Sequence, residues 1–158
     1  MEVATAAQFC PLCSRSSVAF VYEPTTLSVF PYPDKAAIHV HYSSGVFDNS
    51  ACVNEARWSL NIAKKIYSQY PKKKFFILVD VSDLTYKQFF TTEAIRYYVE
   101  LGNHPQSDMF VYYGLHGFKE SLVKLIFHYA RTKKKIILVD DYEAADKEYA
   151  AWRKKHST

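Results

Sequence analysis

The chain has 158 residues, 49% of them hydrophobic, and a formal net charge of +4. That size carries one domain with a sizeable core, and no apolar run nears the roughly 18 residues of a membrane-spanning helix. The three cysteines, Cys10, Cys13 and Cys52, make no even disulfide framework and no secretory signal precedes them, so a reducing, cytoplasmic setting is expected.

Residues 1–16 lack periodicity and read as a flexible N-terminal tail, with residues 17–158 forming a single domain. The tail holds Cys10-Pro11-Leu12-Cys13, and a C-x-x-C pair is half a zinc site or a redox pair. No second C-x-x-C follows. His39 and His41 would have to complete a Cys2His2 set, and nothing in the sequence forces those segments together. Cys10 and Cys13 are therefore expected to be reduced and metal-free, and no cofactor is expected.

From residue 17 the chain reads as strands. Residues 17–22 and 27–32 are rich in β-branched and aromatic side chains, and the prolines at 31 and 33 then impose a turn. Residues 37–42 alternate, with Ile38, Val40 and Tyr42 on one face and His39 and His41 on the other. Both imidazoles are expected to face solvent or to be satisfied within the sheet. Asp48 or Ser50 can cap a helix that runs to about Tyr70 and stops at Pro71. Its inward stripe is Cys52, Ala56, Ala63, Ile66 and Tyr70, widened by Val53, Leu60 and Tyr67, with Arg57, Lys64 and Lys65 on the wet side.

Phe75-Phe76-Ile77-Leu78-Val79 is five apolar residues ending in Asp80-Val81-Ser82, the pattern of a strand buried on both faces. Thr91 or Thr92 caps a helix to about Leu101 with Ala94, Ile95, Tyr98 and Val99 inward. Met109 to Tyr113 is the next strand, and Gly114-Leu115-His116-Gly117 turns it into a helix over residues 118–131, with Leu122, Val123, Leu125, Ile126 and Tyr129 inward. Residues 136–139 make the last strand. Asp140-Asp141 caps a final helix to about Lys155, anchored by Ala144, Ala145 and Trp152. Strands alternating with helices imply right-handed crossovers, so the expected fold is α/β: a mixed central sheet with antiparallel N-terminal edge strands and helices packed on it.

No catalytic motif stands out. Ligands meet open α/β sheets at the carboxyl ends of the strands, which points to Ser82, Asp83, Thr85, Tyr86, Phe89, Thr91 and Thr92 as a partner or switch surface. The turn Gly114, His116, Gly117 is the second candidate; it lacks the spacing of a phosphate-binding fingerprint. Lysines cluster at 72–74, 133–135 and 154–155, where the first two runs precede strands and solubilise loops. Gathered at one end of a parallel sheet they would form a basic rim for weak contact with anionic lipid. They give no basis for nucleic-acid binding.

The chain resembles STAS domains, the SpoIIAA-like anti-anti-sigma fold. The resemblance rests on the strand 37–42 followed by Ser44-Gly45, the long helix, Ile77-Leu78-Val79-Asp80-Val81-Ser82, Thr92-Glu93-Ala94-Ile95-Arg96, Val111-Tyr112-Tyr113-Gly114-Leu115-His116-Gly117, and Val139-Asp140-Asp141-Tyr142-Glu143-Ala144-Ala145. It spans roughly residues 27–155 and implies a non-enzymatic regulatory domain acting through protein–protein interaction. The family's Asp-Ser-Ser-Gly phospho-site is missing, which places the likeness with a divergent branch and leaves Thr91 and Thr92 as the hydroxyls nearest to that role. The alternative is a small-ligand or lipid-associated module of the related SEC14-like type, which a deep apolar pocket would favour. An enzyme of another class would show converging polar groups with a perturbed pKa.

Overall fold

The structure, a computed structural model, describes residues 3–13, 15–22, 27–43, 49–84, 91–117, 121, 124, 128 and 136–157; residues 3–8, 16, 17 and 49 are described by backbone alone. Seven strands form one sheet in chain order: β1 (Val3–Phe9), β2 (Ser16–Tyr22), β3 (Leu27–Tyr32), β4 (Ala37–Tyr42), β5 (Phe75–Asp80), β6 (Ser107–Tyr113) and β7 (Ile136–Val139). Pairings from β1 to β4 are antiparallel and those from β4 to β7 are parallel. Helices α1 (Asn49–Gln69), α2 (Thr92–Asn103) and α3 (Tyr142–His156) pack on this sheet. The protein is α/β with a mixed sheet, as its strand–helix alternation predicts.

β5 sits at the centre of the parallel half. Phe75, Ile77 and Val79 join the core beneath α1 and α2, while Phe76 and Leu78 join a second core beneath α3, and none of the five is more than 4% exposed. Alternation along β4 sorts the same way, with Ile38 and Val40 in the first core and Ala37 in the second. The helices α1 and α2 cover one face because each links parallel neighbours, and right-handed crossovers between adjacent strands fall on the same side. α3 follows the last strand and closes the other face, where Trp152 packs against Phe76 and donates its indole N–H to Asp108 at 2.7 Å.

Residues 3–9 correct the expectation of a flexible tail: they form β1, an edge strand laid antiparallel on β2. A register shift between Thr5 and Ala7 interrupts the period-2 pattern that would otherwise mark the strand in the sequence. β2 pairs with β3 only over Phe20–Tyr22, so its first half is bonded to β1 alone. That free-standing end of the hairpin brings Cys10, Leu12 and Ala19 into the second core, beside Phe30, Tyr32 and Ala37.

α1 is more deeply buried than its expected stripe. Trp58, Ile62, Glu55 and Ser59 are buried as well, because the helix packs against both the sheet and α2. Arg57, Lys64 and Lys65 are exposed, as expected. Its end and the turn after it are tied to a distant loop: the Gln106 side-chain amide donates to the carbonyl of Tyr67 at 3.4 Å and to those of Tyr70 and Lys73, each at 2.8 Å. Most of the helix expected over residues 118–131, including its inward residues, lies outside the described residues. Ser121, Lys124 and His128 within it are helical and exposed.

Thr91 is the N-cap of α2, its hydroxyl accepting from the Ala94 amide at 3.1 Å, with Glu93 in the first turn. Thr91→Ala is expected to cost about 1 kcal/mol. Urea denaturation checks this, and an unchanged midpoint would mean that solvent satisfies the turn equally well.

Candidate functional site

The carboxyl ends of β4, β5 and β6 converge on Asp80. His41 is the register partner of Asp80 across the parallel β4–β5 ladder, and its Nδ1 meets Asp80 Oδ2 at 2.9 Å. The other carboxylate oxygen, Oδ1, accepts from the Ser82 amide at 2.9 Å and from the Ser82 hydroxyl. His41 Nε2 lies 3.6 Å from Asp83 Oδ2. The hydrogen bond to Asp80 raises the His41 pKa above its ordinary value despite partial burial, helped by the charges of Asp80 and Asp83. Burial pushes the Asp80 carboxyl up, but the hydrogen bonds from His41 and from the Ser82 side chain and backbone outweigh it and leave the pKa lowered. His41 is thus satisfied within the sheet, one of the two outcomes expected for it, and gives the end of β5 a histidine partner. The signal lay in two polar residues ending consecutive strands on the same face.

The two surfaces expected separately are parts of one. Gly114 lies so close to Ser82 that an added Cβ would stand 2.7 Å from the Ser82 backbone. The Val81 amide donates to the Tyr113 carbonyl at 3.1 Å, and the Gly114 amide donates to the Asp140 carbonyl at 3.2 Å. Gly114 and Gly117 both take positive φ, +78° and +61°. Buried Tyr113 stands beside Asp80, and burial together with that carboxylate pushes its phenol pKa well above the usual value. Ser82, Asp83, His116 and Gly117 are exposed around this buried base.

Thr91 and Thr92 belong to a different neighbourhood. Thr91 lines an open cleft of about 310 Å³ with Ser50, Asn54, Arg57 and Glu93, between the amino ends of α1 and α2. Arg57 Nη2 lies 3.6 Å from Glu93 Oε1 there, and its Nε donates to the Tyr97 hydroxyl. Thr85, Tyr86 and Phe89 lie outside the described residues.

A second cluster lies on the α3 face of the sheet. The Cys10–Cys13 turn folds over β4 and brings the sulfurs of Cys10 and Cys13 and a ring nitrogen of His39 within 4.8 Å of one another. Cys10 Sγ and His39 Nδ1 are 3.5 Å apart. This overturns the expectation that nothing draws these segments together; the hairpin supplies the approach. Burial lowers the His39 pKa to about 4, with the Arg15 charge adding to the effect, so the ring is neutral at neutral pH. Burial raises the Cys10 thiol pKa, while the Leu12 and Cys13 amides and the Tyr32 hydroxyl bond to the sulfur and oppose that shift. The Cys13 thiol donates to the Tyr32 hydroxyl at 3.4 Å. Cys13, Arg15, Tyr32, His39, Tyr142 and Asp146 line a cavity of about 210 Å³. His41, the other histidine considered for this set, is engaged with Asp80.

An apolar cavity between the sheet and α1/α2, lined by Val29, Ile38, Tyr42, Ile62, Tyr98 and Phe110 among others, measures about 50 Å³. Small-molecule pockets run to about 300–1,000 Å³, so this one is too small for an acyl chain. Of the lysine runs, Lys73 donates to the Pro33 carbonyl and Lys74 lies 3.7 Å from Asp108. Residues 133–135 lie outside the described residues. No described helix is long and apolar enough to cross a membrane.

The protein is thus an α/β domain with a mixed seven-stranded sheet and a polar cluster at the carboxyl ends of its parallel strands. In comparisons with known proteins, no family model, curated protein or solved structure matches the chain.

Proposed function

We propose that this is a non-enzymatic regulatory domain of STAS-like type, acting in the cytoplasm through protein–protein contact at the carboxyl ends of the parallel strands. The observation that carries the reading is how the polar groups there spend their hydrogen bonds. Both Asp80 oxygens are taken, one by His41 and one by Ser82, and His41 is held between Asp80 and Asp83. A general acid or base needs a free valence toward substrate. In this cluster the bonding capacity goes into bracing a turn. Ser82, Asp83, His116 and Gly117 stand exposed on that brace, which suits docking, since a rigid surface loses little entropy on binding.

Thr91, in the separate cleft between α1 and α2, and its neighbour Thr92 fit a switch apart from this surface. A phosphate on either would sit at the positive end of α2 with Arg57 nearby, and Glu93 would oppose it. The exposed Lys72 and Lys74 leave weak contact with anionic lipid as a secondary interaction.

The test begins with affinity capture of the partner from native cell extract by the full chain. Titration of that partner should then show more than tenfold weaker binding, about 1.4 kcal/mol, for at least one of Asp83→Ala, His116→Ala, Tyr86→Ala and Phe89→Ala. Thr91→Glu and Thr92→Glu test the switch. Unchanged affinity in all of these folded variants would remove the strand-end surface as the working face.

A further inference from the structure

We propose that Cys10, Cys13 and His39 bind a single zinc ion, with the fourth coordination position open to the cavity beside them. Two thiolates and one imidazole are the donor set zinc favours among common intracellular metals. Zn–S distances of about 2.3 Å and Zn–N distances of about 2.0–2.1 Å in a tetrahedron put neighbouring donors about 3.6–3.8 Å apart. The 3.5 Å between Cys10 Sγ and His39 Nδ1 falls beside that range, and the three donor atoms lie within 4.8 Å of one another. Bringing donors from 4.8 Å to that range requires a movement of about 1 Å.

The surroundings carry one charge of each sign, Asp146 and Arg15, both lining the adjoining cavity. The Leu12 and Cys13 amides bond to the Cys10 sulfur and partly offset the burial that raises its pKa. The two cysteines share one four-residue turn, and the histidine comes from β4, across the hairpin. One ion would therefore tie the edge hairpin to the middle of the sheet at a point 29 residues away in sequence. Cys13 and His39 both line the 210 Å³ cavity, so the uncovered side of the site faces that space, where Tyr32 and Asp146 also contribute. Solvent there would fill the fourth position. Cys52, on α1, lies in a different core cluster and takes no part.

The experiment uses the full chain, expressed without a histidine tag and purified without chelator. Elemental analysis is expected to find about one zinc per chain. Stripped protein titrated with cobalt should develop the intense visible bands of a tetrahedral ion and a thiolate charge-transfer band in the near ultraviolet, and added zinc should erase both. Cys13→Ser changes a half-buried position and is expected to weaken zinc binding about a hundredfold or more while folding normally. Cys52→Ser should bind like the parent chain. His39→Ala should shift the cobalt spectrum away from that of the parent.

Wild-type protein that neither retains zinc nor gives the tetrahedral cobalt spectrum overturns the proposal. So does full zinc binding by Cys13→Ser, or a cobalt spectrum without thiolate charge transfer. Air oxidation of wild-type protein to a Cys10–Cys13 disulfide that zinc fails to prevent would establish a redox pair instead. The cobalt spectrum of the unaltered chain decides the matter even if a variant fails to fold.

Discussion

Gly114→Ala is expected to destabilise the protein by about 2–5 kcal/mol, and Gly117→Ala by only about 1–2 kcal/mol. Both glycines occupy the left-handed region, φ +78° and +61°, so an L side chain costs about 1–2 kcal/mol at either. The difference lies in space. A Cβ on Gly114 would stand 2.7 Å from the N, Cα and Cβ of Ser82, while one on Gly117 meets nothing within 4 Å. The obstruction at Gly114 includes backbone, which cannot swing aside as a flexible side chain can. Relief requires β5 and β6 to part at their carboxyl ends, which disturbs the Val81–Tyr113 and Gly114–Asp140 hydrogen bonds. That overpacking adds about 1–3 kcal/mol. Urea denaturation of both variants is the measurement, and equal losses would show that the two turns do not touch.

The contrast bears on the site as well as the fold. If Gly114 holds the two exposed turns together, Gly114→Ala should weaken partner binding even where the variant remains folded. Gly117→Ala leaves the contact with Ser82 intact and alters only one exposed position of the surface, so its loss of binding should be the smaller of the two.

β5 was legible in the sequence because a strand buried on both faces needs an unbroken apolar run, and Phe75 to Val79 supply one. The caps of α2 and α3 were legible for a local reason: Thr91 and Asp141 act on amides only three residues away. The described residues form seven strands where the sequence suggested six, since β1 carries a weak pattern broken by a bulge and gains its place only by pairing with β2. The Cys10–His39 approach was hidden because it depends on how far that hairpin leans over the sheet. His41 and Asp80 were visible singly. Their contact depends on parallel register, which side-chain alternation does not determine to the residue. Trp58 and Ile62 in α1 were missed because a single-face stripe describes a helix with one neighbour, and this helix has two.

Asp80→Ala is expected to cost about 2–4 kcal/mol near pH 5.5, and the loss should shrink toward both acid and alkaline pH. Removal of the carboxylate leaves His41 without its acceptor and the Ser82 amide without its partner. The Asp80 and His41 side chains are 10% and 18% exposed, so solvent recovers part of the loss and the estimate sits below that for a fully buried pair. The signs follow from the shifts. The Asp80 pKa is lowered from 3.8 on folding, so its contribution is present above that value and fades as pH falls through the folded value below it. The His41 pKa is raised from 6.5, so its contribution is full below 6.5 and fades as pH rises through the higher folded value. Asp83 faces the same ring and supports it in both proteins, and Tyr113 remains neutral beside Asp80 across this range. His39 does not contact Asp80, and burial keeps its ring neutral near pH 5.5 and above, so it drops out of the difference there. Urea denaturation of wild type and variant at several pH values measures the gap, and the ring proton resonances of His41 should report a lower pKa in Asp80→Ala. A gap that widens above pH 8, or a His41 resonance that titrates identically in both proteins, would mean that Asp80 is not what holds the histidine and the Ser82 turn together.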